Sequence, residues 1–181
     1  GGRLSSNSTA SRTLSNPLAL SGFVALGDLT NTGSLLFTGN GALVGNTTLA
    51  VLTTATLSGS LSGAYGLTTS GSQELTLSGV NTFSGTTMVK EGTLTLVGGS
   101  ALMDAVPVTV EANGLLKLAA SETLGGLAGT GNVNLQGNTL TLSGAVETRF
   151  NGVLSGTGGL VKNGTAGFTL GGTNTFSAGV T

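Results

Sequence analysis

Glu91-Gly92-Thr93-Leu94-Thr95-Leu96 returns further along the chain as Asn113-Gly114-Leu115-Leu116-Lys117-Leu118. Each copy opens on a turn glycine and then alternates apolar and polar side chains. Alternation with period two gives an extended segment one apolar face and one polar face, as in a half-buried strand. The interval between the copies is roughly 20 residues, which lies in the range of solenoid repeats.

The same alternation recurs outward from this pair. Leu75-Thr76-Leu77, Val106-Pro107-Val108-Thr109-Val110, Val133-Asn134-Leu135, Leu140-Thr141-Leu142 and Phe168-Thr169-Leu170 all carry it. Thr and Val suit such segments because a branched Cβ packs well on a pleated surface. Clusters such as Thr130-Gly131-Asn132 and Gly137-Asn138 interrupt the runs with residues that favour sharp turns. No amphipathic helix is legible, and Asp104-Ala105 reads as a short irregular bulge at most.

A longer repeat encloses the short one. Leu61-Ser62-Gly63-Ala64-Tyr65-Gly66-Leu67 returns as Leu154-Ser155-Gly156-Thr157-Gly158-Gly159-Leu160. The offset then holds: Gly71 matches Gly164, Leu77 matches Leu170, and Gly79 matches Gly172. Asn81-Thr82-Phe83-Ser84 is repeated as Asn174-Thr175-Phe176-Ser177. The clearest copies span 60–98 and 153–181. The recurrent positions Gly79, Asn81, Phe83, Gly92, Leu94, Leu96, Gly172, Asn174 and Phe176 are therefore expected to be structural. An antiparallel sandwich would explain the alternation but not the single-rung repeat.

The expected fold is all-β: a single right-handed parallel β-helix, or β-solenoid, over residues 1–181. At about 20 residues per rung it makes about eight rungs, and at ~4.8 Å per stacked strand it is on the order of 40 Å long. Each rung is too short to be stable alone, so stacking must both pair its backbone and bury its inward Leu, Val and Phe. Crossovers between parallel strands are right-handed in nearly all proteins. Thr, Ser and Asn are expected on outward positions.

Composition narrows the function. Charged residues are 7% of the chain and the net charge is −1. Arg3, Arg12, Lys90, Lys117, Arg149 and Lys162 are scattered singly, so no basic patch exists to displace counterions from a nucleic acid. Cys and His are both absent, which removes disulfides, thiolate metal sites and imidazole chemistry. No apolar run is long enough to span a bilayer. Gly1 to Ser15 lacks the basic start and apolar run of a signal peptide, so the chain reads as an internal or mature fragment.

The carboxylates are Asp28, Glu74, Glu91, Asp104, Glu111, Glu122 and Glu147. Polysaccharide cleavage needs a converging acidic pair. The rung alignment puts Asn113 rather than Glu111 opposite Glu91, with Glu111 opposite Val89. Calcium-binding solenoids need a regular Asp in each turn, and only Asp28 and Asp104 exist. Gly39-Asn40-Gly41 and Gly129-Thr130-Gly131 lack the Lys and the helix of a phosphate loop. The sequence thus assigns no catalytic, cofactor-binding or metal-ligating residue. Phe83 and Phe176 are read as core plugs in preference to an exposed carbohydrate-stacking ladder.

The stretch from Leu75 through Val89, followed by Lys90-Glu91-Gly92-Thr93-Leu94-Thr95-Leu96, resembles the passenger-associated repeat of bacterial autotransporters. Phe168 through Thr181 resembles the same unit cut short. Ser155-Gly156-Thr157-Gly158-Gly159-Leu160-Val161-Lys162 and Leu124 through Gly131 also fit, and the resemblance is clearest over 60–181. It implies a right-handed β-helix in an exported passenger, at the cell surface or outside a Gram-negative bacterium. There the repeat would assist folding during secretion and serve as a stalk.

Three functions follow as expectations. The first is a structural spacer, either a passenger stalk or a repeat module of an extracellular fibre. The second is an adhesin-type module binding glycans or ice through arrays of Thr, Ser and Asn. Regular Thr arrays are broken where Thr95 aligns with Lys117. The third is a polysaccharide-cleaving enzyme, which lacks a converging site. Expected partners are neighbouring solenoid repeats or end-to-end self-association, with a glycan or cell-surface ligand besides. Nucleic acid and membrane insertion are not expected. Gly1-Gly2-Arg3-Leu4 resembles Glu91-Gly92-Thr93-Leu94, which places the two ends nearly in phase.

Overall fold

The computed structural model describes residues 1–181 and contains strands but no helix. All strand pairs are parallel, and the chain coils into a β-solenoid of about eight turns with about 20 residues per turn. Each short alternating segment pairs with the rung below and the rung above, and turns its Leu side chains inward.

Each rung has three walls, met in the order 1, 2, 3. Wall 1 stacks nine strands, from Gly2–Leu4 to Phe168–Leu170. Wall 2 runs from Arg12–Leu14 through Leu35–Phe37, Ala55–Leu57 and Glu74–Leu77 to Val153–Ser155. Wall 3 begins at 18–20 and ends at Glu122–Leu124, Leu140–Leu142, Leu160–Lys162 and Val180. In its middle, residues 81–83 and 100–102 carry the stack through single hydrogen bonds instead of regular strands. Leu18–Leu26 and Gly41–Val51 run unbroken from wall 3 into wall 1, while Thr87–Leu96 and Pro107–Leu118 run from wall 1 into wall 2.

Inward positions form continuous columns. In wall 2, Leu35, Ala55, Leu75, Leu94, Leu116, Val133 and Leu154 lie one above another, all buried. One cluster of 32 buried residues links Leu20 near one end to Leu160 near the other. Phe83 is completely buried, as the core reading requires, and Phe176 packs partly buried against the same cluster. The expectation that Thr and Asn face outward fails in part. Thr47, Thr69, Thr87 and Asn81 are all buried. Thr has the shape of Val, so it fits an inward site of wall 1 where Val89 and Val110 serve elsewhere.

The corners are built of stacked glycines. Between walls 1 and 2, a Cβ on Gly152 would lie 1.7 Å from the Gly131 carbonyl oxygen, and one on Gly172 would lie 1.8 Å from that of Gly152. Between walls 2 and 3, Gly79 rests on Gly59 and Gly59 on Gly39 in the same way, at 2.3 and 2.1 Å. The backbones approach so closely that no side chain fits between rungs.

Two alignments made from sequence change. Thr87–Leu96 pairs with Pro107–Leu118 in the expected register at Glu91↔Asn113 through Leu96↔Leu118. A register shift between Val89 and Glu91 places Val110, not Glu111, opposite Val89. The longer strand bulges by one residue, which a gapless alignment cannot register. Gly2 does not stack in the column of Gly92. It pairs with Val24, and through Leu49 and Thr69 it shares the column of Val89. Asp104 and Ala105 form a hydrogen-bonded turn.

The long repeat has a geometry that its sequence does not disclose. Leu61 lies on wall 3, paired with Gly41, whereas its counterpart Leu154 lies on wall 2, paired with Val133. Leu75–Leu77 belongs to wall 2, and its counterpart Phe168–Leu170 to wall 1. Gly79 turns the corner between walls 2 and 3, and Gly172 the corner between walls 1 and 2. Every matched element is displaced by one wall. The repeat is thus four whole rungs plus two walls, a third of a turn short of five rungs.

Candidate functional site

The repeated Asn is the most elaborate polar site. Asn81 Oδ1 accepts the Leu61 N–H at 2.7 Å, and Asn81 Nδ2 donates to the Ala101 carbonyl at 2.7 Å. One amide thereby joins three successive rungs. Asn174 repeats half of this, accepting the Leu154 N–H at 2.8 Å while its Nδ2 turns back to the Gly172 carbonyl at 2.9 Å. Backbone bonds match too: Thr82 N–H to Leu61 and Ser84 N–H to Gly63 correspond to Thr175 N–H to Leu154 and Ser177 N–H to Gly156. The local structure is conserved although the wall is not. Gly92, Leu94 and Leu96 follow in wall 2, where both Leu side chains are fully buried.

The outward column of wall 2 reads Thr13, Leu36, Thr56, Thr76, Thr95, Lys117, Asn134 and Ser155. Three Thr stand in succession, and Lys117 ends the run as the alignment implied. Even this short array is not free, because Thr95 is buried and its Oγ1 donates to Glu74 Oε1 at 2.5 Å.

The carboxylates are dispersed, and no three acidic groups gather where a metal ion could be held. Asp28 is partly exposed and organises its own turn, accepting the backbone N–H groups of Asn31 and Thr30. Those bonds stabilise the ionised form and hold its pKa at about 2. Glu91 Oε2 accepts the Gly71 N–H at 3.3 Å. Glu122 alone is buried, at 3% exposure, and its Oε1 accepts the Leu102 N–H at 2.8 Å. Burial raises its pKa, and Asp104 adds to the effect. Nothing in the sequence separates Glu122 from the other carboxylates; its place in the inward Leu140–Leu160 column of wall 3 is disclosed only by the structure.

An open hollow of about 470 Å³ lies over the corner formed by Asp104, Pro107, Gly125, Ser143, Val146 and Thr148. Asp104 is its only ionisable lining group, so it holds no acid–base pair.

Over 106 residues, 58% of its length, the chain is 41% identical to the adhesin BmaC autotransporter of Brucella suis biovar 1 (strain 1330). It is a β-solenoid, consistent with an autotransporter passenger β-helix. The chain spans 3% of the length of that relative. No protein-family model matches the chain, and no solved structure does. No helix is long and apolar enough to cross a membrane.

Proposed function

We propose that this chain is a non-catalytic structural segment of an exported surface protein of a Gram-negative bacterium. It serves as a stretch of passenger stalk, or as a repeat module of an extracellular fibre, and assists folding during secretion. The observation that carries this reading is the one-wall displacement of the repeat. Leu61 and Leu154, Asn81 and Asn174, and Phe83 and Phe176 recur in sequence but face different directions. A ligand approaching from one side meets only one copy. What the repeat preserves is the hydrogen-bonding ladder and the inward packing.

The proposed partners are further solenoid rungs, of the same protein or of another copy. Leu4 and Val180, in the outermost rungs, are 36% and 60% exposed, against 0% for Phe150 and Leu154 inside. Rungs stacked on them would bury these side chains, and association rising with concentration in sedimentation is the expected result.

Deleting residues 61–80, one rung, from the full-length surface protein tests the stalk reading. Gly41 would then meet Asn81 in register. Export, protease resistance and cell binding should persist. Loss of binding with intact display would favour the second reading, an adhesin-type module. That reading is favoured by the relative's description as an adhesin. Specific sub-millimolar binding on a glycan array would establish it. Polysaccharide hydrolysis abolished by Glu91→Gln would overturn the non-catalytic reading.

A further inference from the structure

Asn81 and Glu122 occupy the same wall, and each binds the backbone N–H of the rung below: Leu61 for Asn81 and Leu102 for Glu122. The amide of Asn81 completes its role by donating upward to Ala101. A carboxylate has no proton to donate, and Glu122 Oε2 is buried without a hydrogen-bond partner. A carboxylic acid, in contrast, has one acceptor oxygen and one O–H donor, like an amide.

We propose that Glu122 is a proton-operated latch between rungs. Protonated, it holds the Leu102 N–H of the rung below with no charge buried in wall 3. Ionised, it leaves a buried charge with one oxygen unsatisfied and loosens that stretch of the solenoid.

The surroundings favour this device. Leu140 and Leu160 follow in the column above, both buried and apolar. Below, the backbone N–H groups of Leu102 and Ala101 help the ionised form, but burial outweighs them. Asp104, in the turn after Leu102, is the charged group acting on Glu122, and it opposes ionisation. Lys162, two rungs up on the same wall, spends its ammonium on the Gly164 carbonyl at 2.6 Å.

The sign follows from linkage. A carboxyl whose folded pKa lies above its unfolded value binds its proton more tightly in the folded state. The stabilisation is complete below the ordinary Glu range and disappears as pH rises through the elevated value. Urea unfolding of the whole chain at several pH values between about 5 and 7.5 reads the effect, because ordinary carboxyls stay ionised there. The wild-type midpoint should rise as pH falls. E122Q, which carries a permanent amide, should unfold at higher urea than wild type at neutral pH and show a flattened slope. The exposed-site control E91Q should keep the wild-type slope.

Carbon-detected titration of the wild-type carboxyls gives an independent readout that does not depend on a variant folding. Glu122 should titrate above the ordinary Glu range. A Glu122 midpoint within or below the ordinary Glu range, or an E122Q slope equal to wild type, would overturn the latch.

Discussion

The side-chain oxygen of Asn81 receives the backbone N–H of Leu61, one rung below, at 2.7 Å. The bond replaces a strand–strand contact at a place where wall 3 has no regular strand. Truncating Asn81 to Ala leaves the Leu61 N–H and the Ala101 carbonyl buried without partners. Each such group costs about 1–3 kcal/mol, so a loss of roughly 2–6 kcal/mol is expected. Asn174→Ala should cost less, because one of its two bonds is to Gly172 of its own turn. Urea midpoints of the two variants, compared with wild type, measure the difference.

A second prediction concerns the corners. Gly152→Ala would place a methyl group 1.7 Å from the Gly131 carbonyl oxygen, against backbone that cannot yield without separating two rungs. Severe destabilisation or failure to fold is expected. Gly2→Ala meets nothing within 4 Å and should leave the melting temperature unchanged. A thermal melt of both variants distinguishes packing at corners from a general intolerance of glycine replacement.

Much of this fold was legible because the inward columns repeat their residues. The Glu91↔Asn113 register and the burial of Leu94 and Leu96 follow from alternation and spacing alone. Three features were not legible. The bulge after Val110 adds a residue without leaving a gap in the hydrophobic pattern. The one-wall displacement is invisible because the walls use interchangeable modules, so Gly79 and Gly172 look equivalent yet turn different corners. Inward Thr69 and Thr87 break the polar-out rule, since their hydroxyls are buried without hydrogen-bond partners and only shape recommends them.

Phe83 and Phe176 offer a third comparison. Phe83 is wholly buried in the central cluster, and Phe→Ala at such a site typically costs about 3–5 kcal/mol through lost burial and the remaining cavity. Phe176 occupies the matched position but is only partly buried, against the outer edge of the cluster. Phe176→Ala should therefore cost clearly less. Equal effects in chemical denaturation would mean that the outermost rungs are buried in solution, as stacking between copies would require.

Asp28 should respond to acid in the opposite sense to Glu122. Its ionised form accepts the N–H groups of Asn31 and Thr30, and these bonds lower its pKa from 3.8 to about 2. A depressed folded pKa means that the stabilisation is present above the unfolded value and is lost as pH falls through the folded one. The turn at 28–31 should thus loosen as pH drops from about 4 towards 2, with the rungs around it still paired. Protection of the Thr30 and Asn31 amides relative to their intrinsic exchange would report it, falling over that range in wild type. In Asp28→Ala the same amides should show little protection at any pH, because the acceptor is gone. Unchanged protection of Asn31 in the variant would show that backbone stacking alone orders the turn.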